Sequence, residues 1–210
     1  MENDERSMMK KYSAIVFDLG NVLIPFNYSL MTKRFNAIKP QLGDKFAAYY
    51  KNNYDIHRQF ERGDISENDF IQKMLEVLEH KINGNTFCHY FSQIFTVNQD
   101  IAALLPKLKD KYKLVLLSNT NSIHREYGWK NNEFLKYFDK LILSYEVGAV
   151  KPEEKIYRAV EAFTNYPPEE HIFIDDVAEY VEGAQKSGWD AVQFLGYEKL
   201  MSDLKEKHII

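Results

Sequence analysis

The sequence predicts an α/β fold: a mostly parallel sheet flanked by helices, interrupted after its first strand by a helical insert. Two observations carry this. Short apolar runs recur, Ala14-Ile15-Val16-Phe17, Leu114-Val115-Leu116-Leu117 and Ile172-Phe173-Ile174, each stopping at polar residues. Between them lie stretches in which apolar residues return every three or four positions, as on one face of a helix. Strands alternating with helices imply right-handed crossovers and therefore parallel pairing.

The elements follow in order. Residues 1–12 are a polar lead-in, and the acidic first six residues precede no apolar stretch, unlike a secretory signal. The first strand spans 13–17. From 26 to 96 strand-like runs vanish, so this stretch is expected to form a helical cap domain, with 1–25 and 97–210 forming the core domain. Within the cap, Phe70, Ile71, Met74, Leu75 and Leu78 share a helix face. Ser66 precedes it with Asp69 three residues on, like a capping box with Asp in place of Glu. Phe46, Tyr49 and Tyr50 read as core of the insert. Ile101, Leu104, Leu105 and Leu108 predict one helix, 113–117 and 141–143 strands, and Ile156, Ala159, Val160 and Phe163 another helix. A strand at 171–174, a helix at 177–187, a strand at 191–195 and a polar helix at 199–207 complete the chain.

Composition narrows the function. Hydrophobic residues make up 45% of the 210 positions, enough for a packed core. A net charge of −4 excludes a strongly basic domain holding nucleic acid by counterion release. Cys88 is the one cysteine, which excludes an internal disulfide and a zinc site built from several thiolates. It reads as a small buried apolar side chain. No window approaches the apolar length of a membrane span. The expectation is a soluble, cytoplasmic protein with a small-molecule partner, and neither nucleic acid nor membrane.

Four polar elements lie at or just past predicted strand ends: Asp18, Ser118-Asn119, Lys151 and Asp175-Asp176. Open α/β sheets bind ligands outside these ends. Each element alone has a plain structural explanation: a loop former, a turn, a solvated lysine, a helix cap. Together they supply hard oxygen ligands suited to Mg²⁺. They also supply a hydroxyl and backbone N–H groups suited to phosphate at a helix N-terminus, and a point positive charge. Pro152 is expected at the first position of a helix, turning Lys151 toward the site. Clustered carboxylates without a cation would repel one another.

Phe17-Asp18-Leu19-Gly20-Asn21-Val22-Leu23, Leu117-Ser118-Asn119-Thr120-Asn121, Lys151-Pro152 and Ile174-Asp175-Asp176 resemble, in order, the four motifs of the haloacid dehalogenase (HAD) superfamily. The insert resembles its helical cap. Phe60-Glu61-Arg62-Gly63-Asp64-Ile65-Ser66 is similar to the branch of bacterial glucose-1-phosphate phosphatases and, more distantly, of the phosphatase domain of soluble epoxide hydrolase. The resemblance implies a Rossmann-like three-layer α/β/α core and a Mg²⁺-dependent phosphatase of a small soluble phosphomonoester, with sugar phosphates in view. It implies that Asp18 attacks phosphorus to give an aspartyl-phosphate. Mg²⁺ would be held by Asp18, the Gly20 carbonyl and Asp176, with Asp175 acting through water or orienting the ligands. Ser118, Asn119 and Lys151 would hold the phosphoryl oxygens, with Gly20 and Asn21 beside them.

Two positions depart from that pattern. Gly20 stands where most phosphatases of the superfamily carry a second Asp as general acid and base; His124 is a candidate replacement, although an exposed histidine without a role is the plainer expectation. Tyr180 stands where an Asn is common. In the cap, Tyr54, His57, Arg58 and Arg62 either line the mouth of the site or form an ordinary solvated face, the plainer reading for each singly. Three alternatives remain. A signalling receiver domain places its acidic pair first in the chain, not last. A metal-free dehalogenase would leave Asp175 and Asp176 without a cation. A phosphate-binding regulatory protein that has lost turnover draws support from Gly20.

Overall fold

The computed structural model describes residues 11–210. The part of the polar lead-in up to residue 10 lies outside the described residues. Five strands, β1 (Ala14–Phe17), β2 (Lys113–Ser118), β3 (Lys140–Leu143), β4 (His171–Asp175) and β5 (Asp190–Gln193), form one all-parallel sheet in the order β3-β2-β1-β4-β5. The chain leaves β1 for β2 and β3 on one side, then returns past β1 to β4 and β5. The direction of winding reverses beside β1, and a crevice opens there at the carboxyl edge.

Side chains alternate between the two faces of the sheet, and both faces are buried, as a parallel sheet requires. Ile15, Phe17, Leu114, Leu116, Ile172 and Ile174 pack on one side with Ile101, Leu105, Leu108, Leu200 and Leu204. These come from α6 (Gln99–Ala102), α7 (Leu105–Lys109) and α12 (Tyr197–Glu206). Val16, Val115, Leu117 and Phe173 pack on the other against α10 (Glu154–Thr164) and α11 (Ala178–Lys186). The expected three-layer α/β/α arrangement follows.

Between β1 and α6 run five helices: α1 (Ser29–Ile38), α2 (Leu42–Asn52), α3 (Tyr54–Arg62), α4 (Glu67–Val77) and α5 (Gly84–Ser92). Their shared core is largely aromatic: Phe35, Phe46, Phe60, Phe70, Phe87 and Phe91, with Cys88 buried among them. Phe60 and Phe70 stack with ring centroids 4.2 Å apart. Ser66 caps α4, its Oγ accepting the Asp69 amide at 3.1 Å. The Asp69 carboxylate meets the Ser66 hydroxyl at 2.7 Å rather than closing a reciprocal box. Gly63 ends α3 with φ +83°, and a Cβ there would lie 2.6 Å from the Tyr145 carbonyl oxygen. A glycine is thus needed where the insert touches the sheet domain.

Four local expectations change. The helix expected through 101–108 is split into α6 and α7, because Pro106 enters the first turn of α7 and offers no amide to continue α6. The last strand ends at Gln193, and Leu195 is 66% exposed. Pro152 is not in a helix: it follows a cis Lys151–Pro152 bond in a turn, and α10 starts at Glu154. Ser118 and Asn119 do not sit at a helix N-terminus. Asn121 takes the cap position instead, its Oδ1 accepting the His124 amide at 2.9 Å, ahead of the single turn α8 (Ser122–His124). A π-helical turn (Arg125–Trp129) and a 3₁₀ turn (Glu133–Tyr137) follow, then β3 and α9 (Ser144–Val147).

Candidate active site

Each strand end delivers its polar residue to the crevice. The Asp18 amide donates to the Ile174 carbonyl at 2.9 Å, extending the β1–β4 ladder one residue and fixing this carboxylate beside β4. Asp175 ends β4 and is fully buried; its Oδ1 accepts the Val177 amide at 2.8 Å. Asp18, Asp175 and Asp176 can each turn an oxygen so that all lie within 4.8 Å of one another. Lys151, 1% exposed, places Nζ 2.6 Å from Asp18 Oδ1 and 2.5 Å from Asp175 Oδ2.

Three carboxylates face one ammonium, and the charge imbalance is visible in their acidities. Burial pushes the Asp18 carboxyl up to about 7; Lys151 opposes this, while Asp175 and Asp176 add to it. Asp176 is raised too, chiefly by burial, against a hydrogen bond from Asn21. For Lys151, burial works against the charge, but Asp175 and Asp18 outweigh it and the ammonium is held more firmly than usual. A divalent cation fits this set: it would supply the missing positive charge, and the donors are the hard oxygens that Mg²⁺ takes.

The loops around these groups are tied together. The Asn21 amide donates to Asp176 Oδ2 at 3.0 Å, joining the loop after β1 to that after β4. The Gly20 carbonyl accepts the Val22 amide at 2.6 Å and lines the cleft, leaving a second lone pair. Ser118 is buried at the end of β2 and also lines the cleft. The Asn119 side chain grips the Lys151 backbone from both sides. Its Oδ1 accepts the lysine amide at 2.8 Å, and its Nδ2 donates to the lysine carbonyl at 3.2 Å. This clamp, not a helix start at Pro152, turns Lys151 inward. Tyr180 lies with its ring centroid 5.0 Å from Lys151 Nζ, and that of Phe173 lies at 5.3 Å. The position where an amide is common thus provides an aromatic face for the ammonium.

The inserted helices close the other side of the cleft, whose volume is about 190 Å³. His57, Glu61 and Arg58 of α3 line it with Tyr28 and Tyr54. The plain expectation of a solvated face fails for His57 and for the half-buried Arg58, while Arg62, its side chain 39% exposed, does not line the cleft. His57 is buried because it sits between the Tyr50 hydroxyl and Glu61. Arg58 donates to the Lys151 carbonyl at 3.2 Å, and Arg62 pairs with Glu153. Tyr54 is exposed and lines the cleft. His124 is also not exposed: it stacks on Phe91 at 4.3 Å, and its buried Nδ1 has no partner. Burial, with His57 nearby, pushes its pKa well below the usual histidine range, which favours the neutral imidazole.

At Gly20, a Cβ would lie 3.4 Å from the Phe26 ring. Phe26 therefore occupies the direction in which a longer side chain would grow. Glu61, Thr120, Phe95 and Trp129 also line the cleft, and the sequence drew attention to none of them as site residues. The spacing of His57 and Glu61, one helical turn apart, was the available signal.

Known proteins place this architecture. A curated D-ribitol-5-phosphate phosphatase of Bacteroides thetaiotaomicron is 24% identical over 192 residues, covering 85% of this chain and 90% of that protein. A phosphorylated carbohydrates phosphatase of Thermotoga maritima is 23% identical over 188 residues, covering 85% and 83%. A HAD family enzyme of Bacteroides thetaiotaomicron, solved in complex with magnesium and inorganic phosphate, superposes with a TM-score of 0.74 at 28% identity, covering 87% of this chain and 93% of that one. The family model for haloacid dehalogenase-like hydrolases matches residues 12–188. With the ordered motifs and the strand-end carboxylates, that match identifies the chain as a member of the haloacid dehalogenase-like hydrolase family.

Proposed function

We propose that this protein is a Mg²⁺-dependent phosphatase of a small soluble phosphomonoester, of the sugar or sugar-alcohol phosphate class. The observation that carries this is the convergence of Asp18, Asp175 and Asp176 within 4.8 Å, with Lys151 Nζ at 2.6 Å and 2.5 Å from two of them. The names of the two curated relatives and the magnesium–phosphate complex of the structural neighbour support it.

In this reading residues 1–25 and 97–210 form the catalytic core, and 26–96 a cap. Asp18, Asp176 and the Gly20 carbonyl would hold the metal, and Asp175 would orient the ligands while pairing with Lys151. Mg²⁺, when bound, neutralises the acids and withdraws charge from the phosphoryl group. Asp18 attacks phosphorus: an O–P bond forms to its carboxylate as the ester P–O bond breaks, and the leaving alkoxide takes its proton from solvent water, Gly20 having none to give. Lys151, Ser118 and the Asn119 amide steady the phosphoryl oxygens while charge moves onto them. Water hydrolyses the aspartyl-phosphate, releasing phosphate and restoring Asp18.

Gly20 with Phe26 beside it favours a second reading, a binding protein with little turnover, since general acid–base help is worth roughly 10²–10⁴-fold. Release of phosphate from p-nitrophenyl phosphate with Mg²⁺, abolished by EDTA, is the expected result. Phosphate binding without turnover across a broad phosphate panel would favour the second reading instead.

A further inference from the structure

We propose that Glu61, Arg58 and His57 read the leaving group, and that they select an uncharged polyhydroxylated chain while rejecting a leaving group that carries a second acid. This rests on the phosphatase reading above.

The argument starts from Glu61. It is buried, and its carboxylate meets His57 Nε2 at 3.1 Å and Arg58 Nη1 at 3.1 Å. Burial opposes its charge, but these two partners outweigh burial and hold it below the usual range. A carboxylate offers about four lone-pair positions, and two donors leave acceptor capacity. All three residues line the same cleft as Asp18 and Lys151. An alcohol hydroxyl entering that cleft brings the donor Glu61 can still use. A second carboxylate or phosphate brings only acceptors and a like charge.

The cations do not offset this. Arg58 has its charge paired with Glu61 and also donates to the Lys151 carbonyl, so it brings no net positive charge to the cleft. Lys151 is enclosed by Asp18 and Asp175. His57 is locked on its other nitrogen by the Tyr50 hydroxyl. The cluster on α3 is therefore close to self-neutralised, with an ionised acceptor as its core. At the mouth, Tyr28 and Tyr54 are 36% and 47% exposed, and Val177 is 37% exposed. They give the C–H edges of a carbon chain a surface to lie on.

The test uses the full chain with Mg²⁺ and three substrates: a pentitol 5-phosphate, 3-phosphoglycerate and p-nitrophenyl phosphate. The expected kcat/KM for the pentitol phosphate exceeds that for phosphoglycerate by about 100-fold or more, since a site built for hydroxyls discriminates strongly against groups that cannot donate. Glu61→Gln, verified as folded by circular dichroism, is expected to shrink that ratio by about tenfold or more, largely through KM for the pentitol phosphate. The wild-type ratio stands whether or not that variant folds. Equal or inverted preference in the wild type, or an unchanged ratio in folded Glu61→Gln, overturns the inference. Turnover of the aryl phosphate without the preference overturns it alone; no turnover of any of the three overturns the phosphatase reading with it.

Discussion

At the carboxyl edge of the sheet, two buried acids, a half-buried third and one buried lysine lie side by side with their charges unbalanced. In the inserted helices the buried material is largely apolar, with six phenylalanines at its centre, and the buried His57 and Glu61 are paired with each other. The difference is one of support. Strand ends are anchored by ladder hydrogen bonds on both sides, so they can hold repelling groups in place. Short helices packed on phenylalanine rings have no such frame, and a buried charge there needs its counter-charge on the same helix. The sheet edge is thus built to wait for a cation, and the insert to stand without one.

The largest expected effect tests the unbalanced side. Asp18→Asn removes the proposed nucleophile and one of three repelling charges. Turnover should fall by about 10⁴-fold or more, as for other nucleophile replacements, while thermal stability stays level or rises. Normal rates would end the nucleophile assignment. A drop in melting temperature would show that Asp18 contributes structure rather than strain.

Lys151→Met asks the converse. It leaves Asp18 and Asp175 buried without their shared cation, and breaking a buried pair typically costs about 3–5 kcal/mol. Urea unfolding in EDTA should report a loss of that order. Mg²⁺ should restore part of it, because a divalent cation supplies the charge that the lysine gave. No recovery with Mg²⁺ would argue that the three acids do not hold a metal.

Asn119→Ala probes the clamp that aims the lysine. Two hydrogen bonds to the Lys151 backbone are lost, for about 1–3 kcal/mol of stability. Activity should fall roughly 10–100-fold, the range seen when a residue orienting a site is removed. Loss of stability with full activity would mean that Asp18, Asp175 and Tyr180 hold Lys151 unaided.

Much of the sheet edge was readable because its signal is local. A fully buried parallel strand is a continuous apolar run, so β1, β2 and β4 announce themselves, and their last polar residues follow. Lys151 was readable only as a member of an ordered set. Its actual support was not, since Asn119 lies 32 residues away and its side chain acts on backbone atoms. Pro152 misled: proline suits a helix start and a turn equally well, and only the packing of α11 selects the turn. At Gly183 a Cβ would come 2.7 Å from Pro152. The insert was legible as helical from periodicity, while the burial of His57 and the inward turn of Arg58 depend on where α3 rests against the Tyr145 region. No spacing rule encodes that.

The smallest effect compares two buried histidines of the sheet domain, one within it and one packed against Phe91 of the insert. His171, at the start of β4, is satisfied: Nε2 meets Thr164 Oγ1 at 2.8 Å, Nδ1 meets the Pro167 carbonyl at 3.0 Å, and the ring stacks on Trp189. His124 has an unpartnered Nδ1 among Phe91 and Phe95. Burial lowers both below their ordinary 6.5. The unfolded chain therefore binds protons that the folded chain refuses, so stability is full above about 6.5 and declines as pH falls below it. Each group contributes at most about 1.4 kcal/mol per pH unit. His124→Phe removes one of them and its unsatisfied nitrogen at nearly constant shape. It should stabilise by about 1 kcal/mol at pH 7, and by more at pH 5, with the acid slope reduced. His171→Phe should instead destabilise at pH 7, because it strips partners from Thr164 and the Pro167 carbonyl. Activity of His124→Phe should stay within a few-fold of wild type. A fall of 10²-fold or more in kcat would make His124 the proton handler that Gly20 cannot be, since that is the scale of general acid–base assistance.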